Sequence, residues 1–244
     1  MNKITISNIS KSFKSKKILD DLNIEFVEGK VYGLLGLNGS GKTTLLRIIF
    51  NEVKQDTGLV KYNNNLLNKD IYSFMYYYPE NDNIPLSITI FDYWISLSLL
   101  ANVNKKSVFN IIESSKELLK GINYKKTIIR KLSSGQKKIV SLISCFILKP
   151  KFIFLDEPTA NLDKNNKDIV LTAIREFKKR GMCVIVVTHL FNEIDNIIDQ
   201  VIILDKCKIV YNNIKDPNIS TGDIFNQYVK KKDLDIYFKE WDLM

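Results

Sequence analysis

Histidine is nearly absent: His189 is the only one in a chain of 244 residues. A metal centre built on several imidazoles is thereby excluded. Cysteine is scarce as well. Cys145, Cys183 and Cys207 lie far apart with no Cys-x-x-Cys pair, so neither a disulfide framework nor a zinc site is expected. All three read as reduced core thiols of a cytosolic protein. No apolar run approaches the ~18 residues of a membrane-spanning helix; Ile139 to Leu148 is the best candidate. Met1 to Ile6 alternate polar and apolar residues and lack the apolar centre of a signal peptide. The expectation is a chain that neither crosses a membrane nor enters the secretory route. Five prolines and ten glycines are too few for a collagen-like repeat, and no linker rich in Pro, Gly or Ser is present.

What is there is ordinary in bulk. The chain is 45% hydrophobic and 26% charged, close to the average of a folded globular domain. Its length fits one domain, 1–244, or one domain with an inserted subdomain. Lys and Arg outnumber Asp and Glu by 36 to 27, a formal charge of +9. Such a surface suits nucleic acid, an anionic membrane face or an acidic partner. The lysines, however, are scattered among Asn and Ile as on a solvated face, and no nucleic-acid recognition motif accompanies them, so no nucleic-acid partner is expected.

Short apolar runs alternate with helical patterns, which predicts an α/β protein with a largely parallel sheet. Val31 to Leu35, Phe152 to Leu155, Cys183 to Val187 and Val201 to Leu204 read as buried strands. A helix is expected over Gly41 to Asn51, and another over Lys164 to Lys179, where Ile169, Val170, Ala173, Ile174 and Phe177 share one face. Ile4, Ile6, Ile24, Phe26 and Gly58 to Tyr62 suggest half-buried antiparallel strands. Residues 81–148 carry helical patterns (Phe91 to Leu100, Val108 to Leu119, Gly135 to Leu148) and read as a helical insertion between the core segments 1–80 and 149–211. Residues 212–244, with Lys230, Lys231 and Lys232, read as a helical tail whose charge could face an anionic leaflet.

The few glycines are not evenly spread: four stand at positions 33, 36, 39 and 41. Gly36 to Thr43 fits Gly-x-x-x-x-Gly-Lys-Thr after a strand and before a helix. Glycine lets successive backbone N–H groups turn inward as an anion nest, and the helix N-terminus adds its positive end. Asn38, Gly39, Ser40, Gly41, Lys42, Thr43 and Thr44 are therefore expected around a phosphate chain, with Lys42 supplying a mobile charge and Thr43 a hydroxyl for Mg²⁺. Asp156 and Glu157 end the strand Phe152 to Leu155, the edge where parallel sheets hold ligands. Asp156 is placed to orient Mg²⁺, and Glu157 to polarise a water for in-line attack. An acid cap at a helix start is the plainer alternative.

Leu132-Ser133-Ser134-Gly135-Gln136 opens the last helix of the insertion. Together with the Gly36 to Thr44 loop, the Asp156–Glu157 pair and Thr188-His189, it resembles the ATP-binding cassette (ABC) ATPases from Ile4 to about Tyr211. Ser134 replaces the usual glycine of the signature; Ser133, Gly135 and Gln136 stand as in the family. The resemblance implies a P-loop, RecA-like core with a mainly parallel sheet, an antiparallel β subdomain and an inserted helical subdomain. It implies ATP and Mg²⁺ as ligands, Phe13 stacking on adenine, Asp163 as the acid of the D-loop and His189 as the switch that contacts the γ-phosphate. Phe13 as a core aromatic, Asp163 as a helix cap and His189 as a cap histidine are the plainer alternatives. In Tyr77-Tyr78-Pro79-Glu80, Glu80 stands where many members carry Gln, a pattern similar to some exporters; it would reach Mg²⁺ or the lytic water, or serve only as a linker to the helical insertion.

In such cassettes the signature of one copy closes on the nucleotide of another. The resemblance therefore implies a homodimer or a sister ABC subunit, and an integral-membrane permease docking around Ile84 to Trp94, with Phe91, Tyr93 and Trp94 as candidate contacts and core packing as the equal alternative for two of the three. The implied function is the ATP-hydrolysing subunit of a transporter, peripheral on the inner face of the cell membrane, similar to exporters of drugs, peptides or lipids. A non-transport ABC ATPase acting on ribosomes, nucleic acid or iron–sulfur assembly is the alternative. A GTPase is disfavoured by the lack of an Asn-Lys-x-Asp motif.

Overall fold

The computed structural model describes residues 1–67, 72–80, 84–119 and 121–229. Strands β1 (Lys3–Phe13) and β2 (Lys16–Val27) form a long antiparallel hairpin; β3 (Val31–Leu35) leads into helix α1 (Lys42–Ile49). β4 (Thr57–Tyr62) and the short β5 (Asn65–Leu66) join the hairpin in a four-stranded sheet, order β2-β1-β4-β5. β6 (Met75–Tyr78) precedes helices α2 (Ile90–Leu100), α3 (Lys105–Ser114) and α4 (Ser134–Leu148). Then come β7 (Phe152–Asp156), α5 (Lys164–Lys179), β8 (Cys183–Thr188), α6 (Phe191–Ile194), β9 (Gln200–Asp205), β10 (Lys208–Ile214) and α7 (Thr221–Tyr228). The second sheet has six strands in the order β10-β9-β3-β8-β7-β6, all parallel except the edge strand β10.

Strands β3, β7 and β8 are buried along their whole length because both faces are covered. Alternation along each strand then assigns side chains to two cores. Phe152 and Phe154, with Cys183, Ile185 and Val187, face α1 and the antiparallel sheet beyond it. Ile153, Leu155, Val184 and Val186 face α5, α6 and α7. A third cluster joins Ile90, Trp94, Val108, Ile112 and Ile129 to Ile139, Val140, Ile143 and Ile147 of α4. Helix α4 serves two cores at once, since Leu142 and Cys145 on its other face belong to the second.

The expected helix over Lys164 to Lys179 has those bounds, and the four buried strands stand where the apolar runs put them. Val108 to Leu119 divides into α3 and a 3₁₀ turn, Lys116–Leu119. Three strands go beyond the sequence reading. The short β5 and β6 are two, and β10 carries the sheet past position 211 to Ile214. Lys230 to Lys232 lie outside the described residues.

Core packing, the alternative for two of the three aromatics offered as permease contacts, is what Trp94 and Tyr93 adopt: they are 0% and 7% exposed, and the Trp94 indole donates to the Val140 carbonyl at 3.1 Å. Only Phe91 remains half-buried, against Phe109 and Tyr124. Cys145 and Cys183 are buried, but Cys207 is not a core thiol. It sits in the β9–β10 turn at φ 70°, with its Sγ 3.2 Å from the Lys17 carbonyl. Beside it the Asp20 N–H donates to the Cys207 carbonyl at 2.8 Å and Lys208 pairs with Asp20 at 3.3 Å. This seam joins β2 of the antiparallel sheet to the edge of the parallel one.

Candidate functional site

The site forms where β3 stops. The chain after Leu35 turns through Gly36 to Gly41 and enters α1 at Lys42. Gly41 has φ 110°, and a Cβ there would lie 2.7 Å from Leu19 Cδ2 and 2.9 Å from the Ile18 carbonyl. A Cβ on Gly36 would fall 2.5 Å from both the Leu204 carbonyl and Ser40 Oγ. The loop therefore closes only with glycine at these two positions. Because Gly41 is the N-cap, no side chain caps α1 and no acid occupies its first turn. The uncapped N–H groups carry the positive end of the helix dipole. Ser40 Oγ is buried without a hydrogen-bond partner among the described residues. An oxyanion of a phosphate chain satisfies these donors at once, so the residues fit a nucleotide triphosphate.

The loop lines a cavity of about 300 Å³ shared by Asn38, Gly39, Gly41, Lys42, Thr43, Thr44, Glu80, Asp156 and Glu157, with Lys16 and Ile18 of β2 on its far side. Lys42 is 7% exposed. Its ammonium donates to the Gly36 and Leu37 carbonyls at 2.8 and 3.2 Å. Burial pulls its pKa down, and Glu157, Asp156 and Glu80 push it back up. A larger cleft of about 540 Å³ between Gly29, Lys178 and Pro217 lies at the opposite, N-terminal ends of the strands, away from the edge where parallel sheets hold ligands.

Asp156 closes β7 beside β8 and is 3% exposed. Its Oδ2 accepts the Thr43 hydroxyl at 3.4 Å and the Tyr77 hydroxyl at 3.3 Å. Burial, then the Glu157 charge, push its pKa up to about 6, against the pull of the Tyr77 bond. An oxygen-only pair, the Thr43 hydroxyl and the Asp156 carboxylate, with Glu80 across the cavity, suits a hard cation such as Mg²⁺. Cation binding needs the ionised carboxylate. The affinity for Mg²⁺–nucleotide is therefore expected to rise by about tenfold between about pH 5 and pH 7 and then level off. Fluorescent-nucleotide titrations with Mg²⁺ and with chelator check this: the rise disappears in Asp156→Asn, and a flat wild-type profile would refute the assignment.

Glu157 is 5% exposed and has left-handed backbone, φ 46°. Its Oε2 accepts the Thr188 hydroxyl at 2.7 Å. Its Oε1 accepts the His189 backbone N–H at 3.0 Å and lies 2.6 Å from His189 Nδ1. A carboxylate in that position puts the ring proton on Nδ1. The His189 side chain is 43% exposed, so its other edge is accessible. Phe13, at the end of β1, pairs with Lys16 across the hairpin and is 46% exposed. It is an exposed residue beside Lys16 of the cavity wall, not a core aromatic. Lys11 lies 5.2 Å from its ring centre.

Ser133, Gly135, Gln136 and Asp163, like Phe13, Ser40 and His189, are not among the residues that line this cavity. Ser133 caps α4 in a reciprocal box: its Oγ accepts the Gln136 N–H at 3.2 Å, and Gln136 Oε1 accepts the Ser133 N–H at 2.9 Å. Gly135 lies against Asn166, whose Nδ2 would be 2.8 Å from an added Cβ. Asp163 caps α5 through the Asn166 N–H and amide at 2.9 and 2.7 Å. Ser133 and Asp163 are exposed. The sequence reading gave no role to Tyr77 or Lys16, which the fold brings to Asp156 and to the cavity wall. No local signal marked either: three successive tyrosines carry no alternation, and the Tyr77–Asp156 contact is set by the pairing of β6 with β7.

The family model described as ABC transporter matches residues 19–160. The chain is 35% identical to an uncharacterized ABC transporter ATP-binding protein of Methanocaldococcus jannaschii, over 88% of this chain and 79% of that one. It is 31% identical to the methionine import ATP-binding protein of Clostridium tetani, over 87% of this chain and 70% of that one. A solved structure of an ATP-binding subunit of an ABC transporter superposes with TM-score 0.80 at 20% identity, covering 97% of this chain and 98% of that one; this likeness concerns the fold. Matched across its phosphate loop and its carboxylate pair, the chain belongs to the ABC transporter family, as an ATP-binding and ATP-hydrolysing cassette that works with Mg²⁺.

Proposed function

We propose that this cassette drives a separately encoded integral-membrane permease from the inner face of the cell membrane, by closing head to tail on a second copy or a sister subunit. The observation that carries the pairing is the split site. One phosphate loop lines the cavity, while Ser133 and Asp163 stand exposed outside it, as a surface that completes another copy's site would. In that pair Ser133, Gly135 and Gln136 meet the nucleotide held by the partner's loop, and Asp163 lies along the seam.

The residues divide the work as follows. Gly39, Ser40, Gly41, Lys42 and Thr44 hold the phosphate oxygens, with Asn38 at the loop tip, and Phe13 offers its exposed face to the base. Thr43 and Asp156, with Glu80 in the same cavity, would hold Mg²⁺, which when bound would supply charge neutralisation on the phosphates. Glu157 takes the proton of the attacking water, and His189, already bonded to that carboxylate, turns its free edge to the terminal phosphate. Phe13→Ala is expected to weaken ATP binding by about 1–3 kcal/mol, the range for lost base stacking. A competition titration with ATP against pyrophosphate separates this loss, which pyrophosphate does not show.

Among the described residues no helix is long and apolar enough to span a bilayer. The permease reading rests on family membership and on the helical unit, whose Ile84 and Tyr93 share a cavity with Pro79 of the Glu80 segment. Export is the direction carried forward from the Pro79–Glu80 pattern, with a drug, peptide or lipid as cargo; the Clostridium tetani relative is named as an import protein. Co-purification with a polytopic membrane protein and transport in vesicles of known orientation test both parts. ATPase activity stimulated by nucleic acid or ribosomes, with no membrane partner, would favour the non-transport alternative.

A further inference from the structure

Lys138 has no place in the chemistry above, yet it is a lysine 6% exposed within the body of α4. Its ammonium donates to the Glu157 carbonyl at 3.1 Å and to the Ala160 carbonyl at 2.9 Å. Those two carbonyls belong to the ends of one tight turn, closed by the Ala160 N–H on the Glu157 carbonyl at 3.2 Å. Glu157 opens that turn in left-handed backbone, a conformation that a non-glycine residue keeps only when its surroundings hold it. The holding groups can be named. The Glu157 N–H donates to the Val187 carbonyl at 2.8 Å, its carboxylate takes Thr188 and His189, and its carbonyl takes Lys138. Of these, Lys138 alone comes from the helical unit, one turn beyond the Ser133 cap. A desolvated cation makes stronger hydrogen bonds than a neutral donor, and burying it is unfavourable unless it is bonded.

We propose that Lys138 is a positioning residue for ATP hydrolysis: it fastens the turn that begins at Glu157 to the helix opened by Ser133, so that the placement of α4 sets the aim of the Glu157 carboxylate. The inference rests on the reading of Glu157 as the group that takes the proton from water. It gives the signature helix a second task besides meeting the partner's nucleotide. A shift of α4 relative to the sheet pulls on both carbonyls and rotates Glu157 about its left-handed backbone.

The test compares full-length wild type with Lys138→Met, Lys138→Arg, Glu157→Gln and the Lys138→Met/Glu157→Gln double variant, by single-turnover ATP hydrolysis and by nucleotide titration. Lys138→Met is expected to lower the hydrolytic rate on the order of 10²-fold, the scale of a misplaced reactive group, while ATP affinity stays within about twofold. Lys138→Arg, which keeps the donors, recovers most of the rate. The double variant is no slower than Glu157→Gln, because Lys138 acts through that carboxylate. A Lys138→Met rate within about threefold of wild type overturns the proposal, as does a parallel loss of affinity and rate, or losses that multiply in the double variant. Should Lys138→Met fail to fold, Lys138→Gln is read by the same criteria. A silent Glu157→Gln would instead remove the reading of Glu157 itself, and this proposal with it.

Discussion

Glu157→Gln is expected to bind ATP within about twofold of wild type and to turn it over about 10³-fold more slowly, within the range for loss of a general base. The substitution keeps size and hydrogen-bond capacity. The amide that replaces the carboxylate can still bond the Thr188 hydroxyl and accept the His189 N–H, two of the groups that now hold the side chain, and the backbone bonds to Val187 and Lys138 are untouched, so the turn and the cavity wall survive. What disappears is the ability to receive a proton from the attacking water. Because hydrolysis is what opens the closed pair in the proposed cycle, the variant should also accumulate as an ATP-bound dimer. Size-exclusion chromatography with light scattering, with and without Mg²⁺–ATP, reads the second effect separately from the first. A variant that hydrolyses ATP at the wild-type rate would remove Glu157 from the mechanism. One that is slow yet monomeric would leave the base in place and remove the pairing.

Lys42→Ala is expected to act at the earlier step, weakening ATP binding by about 10²-fold. A hydrogen bond to a charged group contributes roughly 1.5–3 kcal/mol, and 1.4 kcal/mol is a factor of ten. The native ammonium rests on the Gly36 and Leu37 carbonyls, so it is held beside the loop before any phosphate arrives and needs only to exchange partners. Alanine is the best helix former, which keeps α1 intact, and the thermal midpoint without nucleotide should move little. The informative contrast is ligand-induced stabilisation: millimolar Mg²⁺–ATP raises the melting temperature of wild type and not of the variant. Lys42→Arg should not restore binding, because the broad guanidinium fork does not occupy the place of a point charge. Retained ATP-induced stabilisation in Lys42→Ala would contradict the placement of the phosphates.

Much of this molecule was legible in its sequence because the decisive signals are local. Strands buried on both faces leave unbroken apolar runs such as Cys183 to Val187, and the Lys164–Lys179 helix shows its buried stripe at regular spacing. The phosphate loop is contiguous, and its glycines are dictated by contacts that a side chain would violate. Where legibility failed, the information was not local. β10 is an edge strand whose apolar run, Ile209 to Tyr211, is only three residues long between exposed Lys208 and the Asn212–Asn213 pair, and β6 is a four-residue strand set by pairing with β7. Tyr77 reaches Asp156 across 79 positions, and Lys138 reaches Ala160 from another element, so neither contact has a spacing to read. For Tyr93 and Trp94 the helical period located a face without saying what covers it; α4 does. Ser133 and Asp163 show a further limit, since a helix cap and a nucleotide contact ask for the same residue types.

The seam of Asp20, Cys207 and Lys208 has a thermodynamic consequence for the ligand. Phe13 and Lys16 stand on one sheet and the phosphate loop on the other, and the Asp20–Cys207 backbone bond and the Lys208–Asp20 pair tie the two together. A nucleotide with its base on Phe13, as proposed, then meets two ends that are already tied, so less ordering entropy is lost by the protein in bringing them together. The compliance needed for a cycle must then reside elsewhere. It falls to the helical unit, which meets the tied sheets through α4 and the ammonium of Lys138.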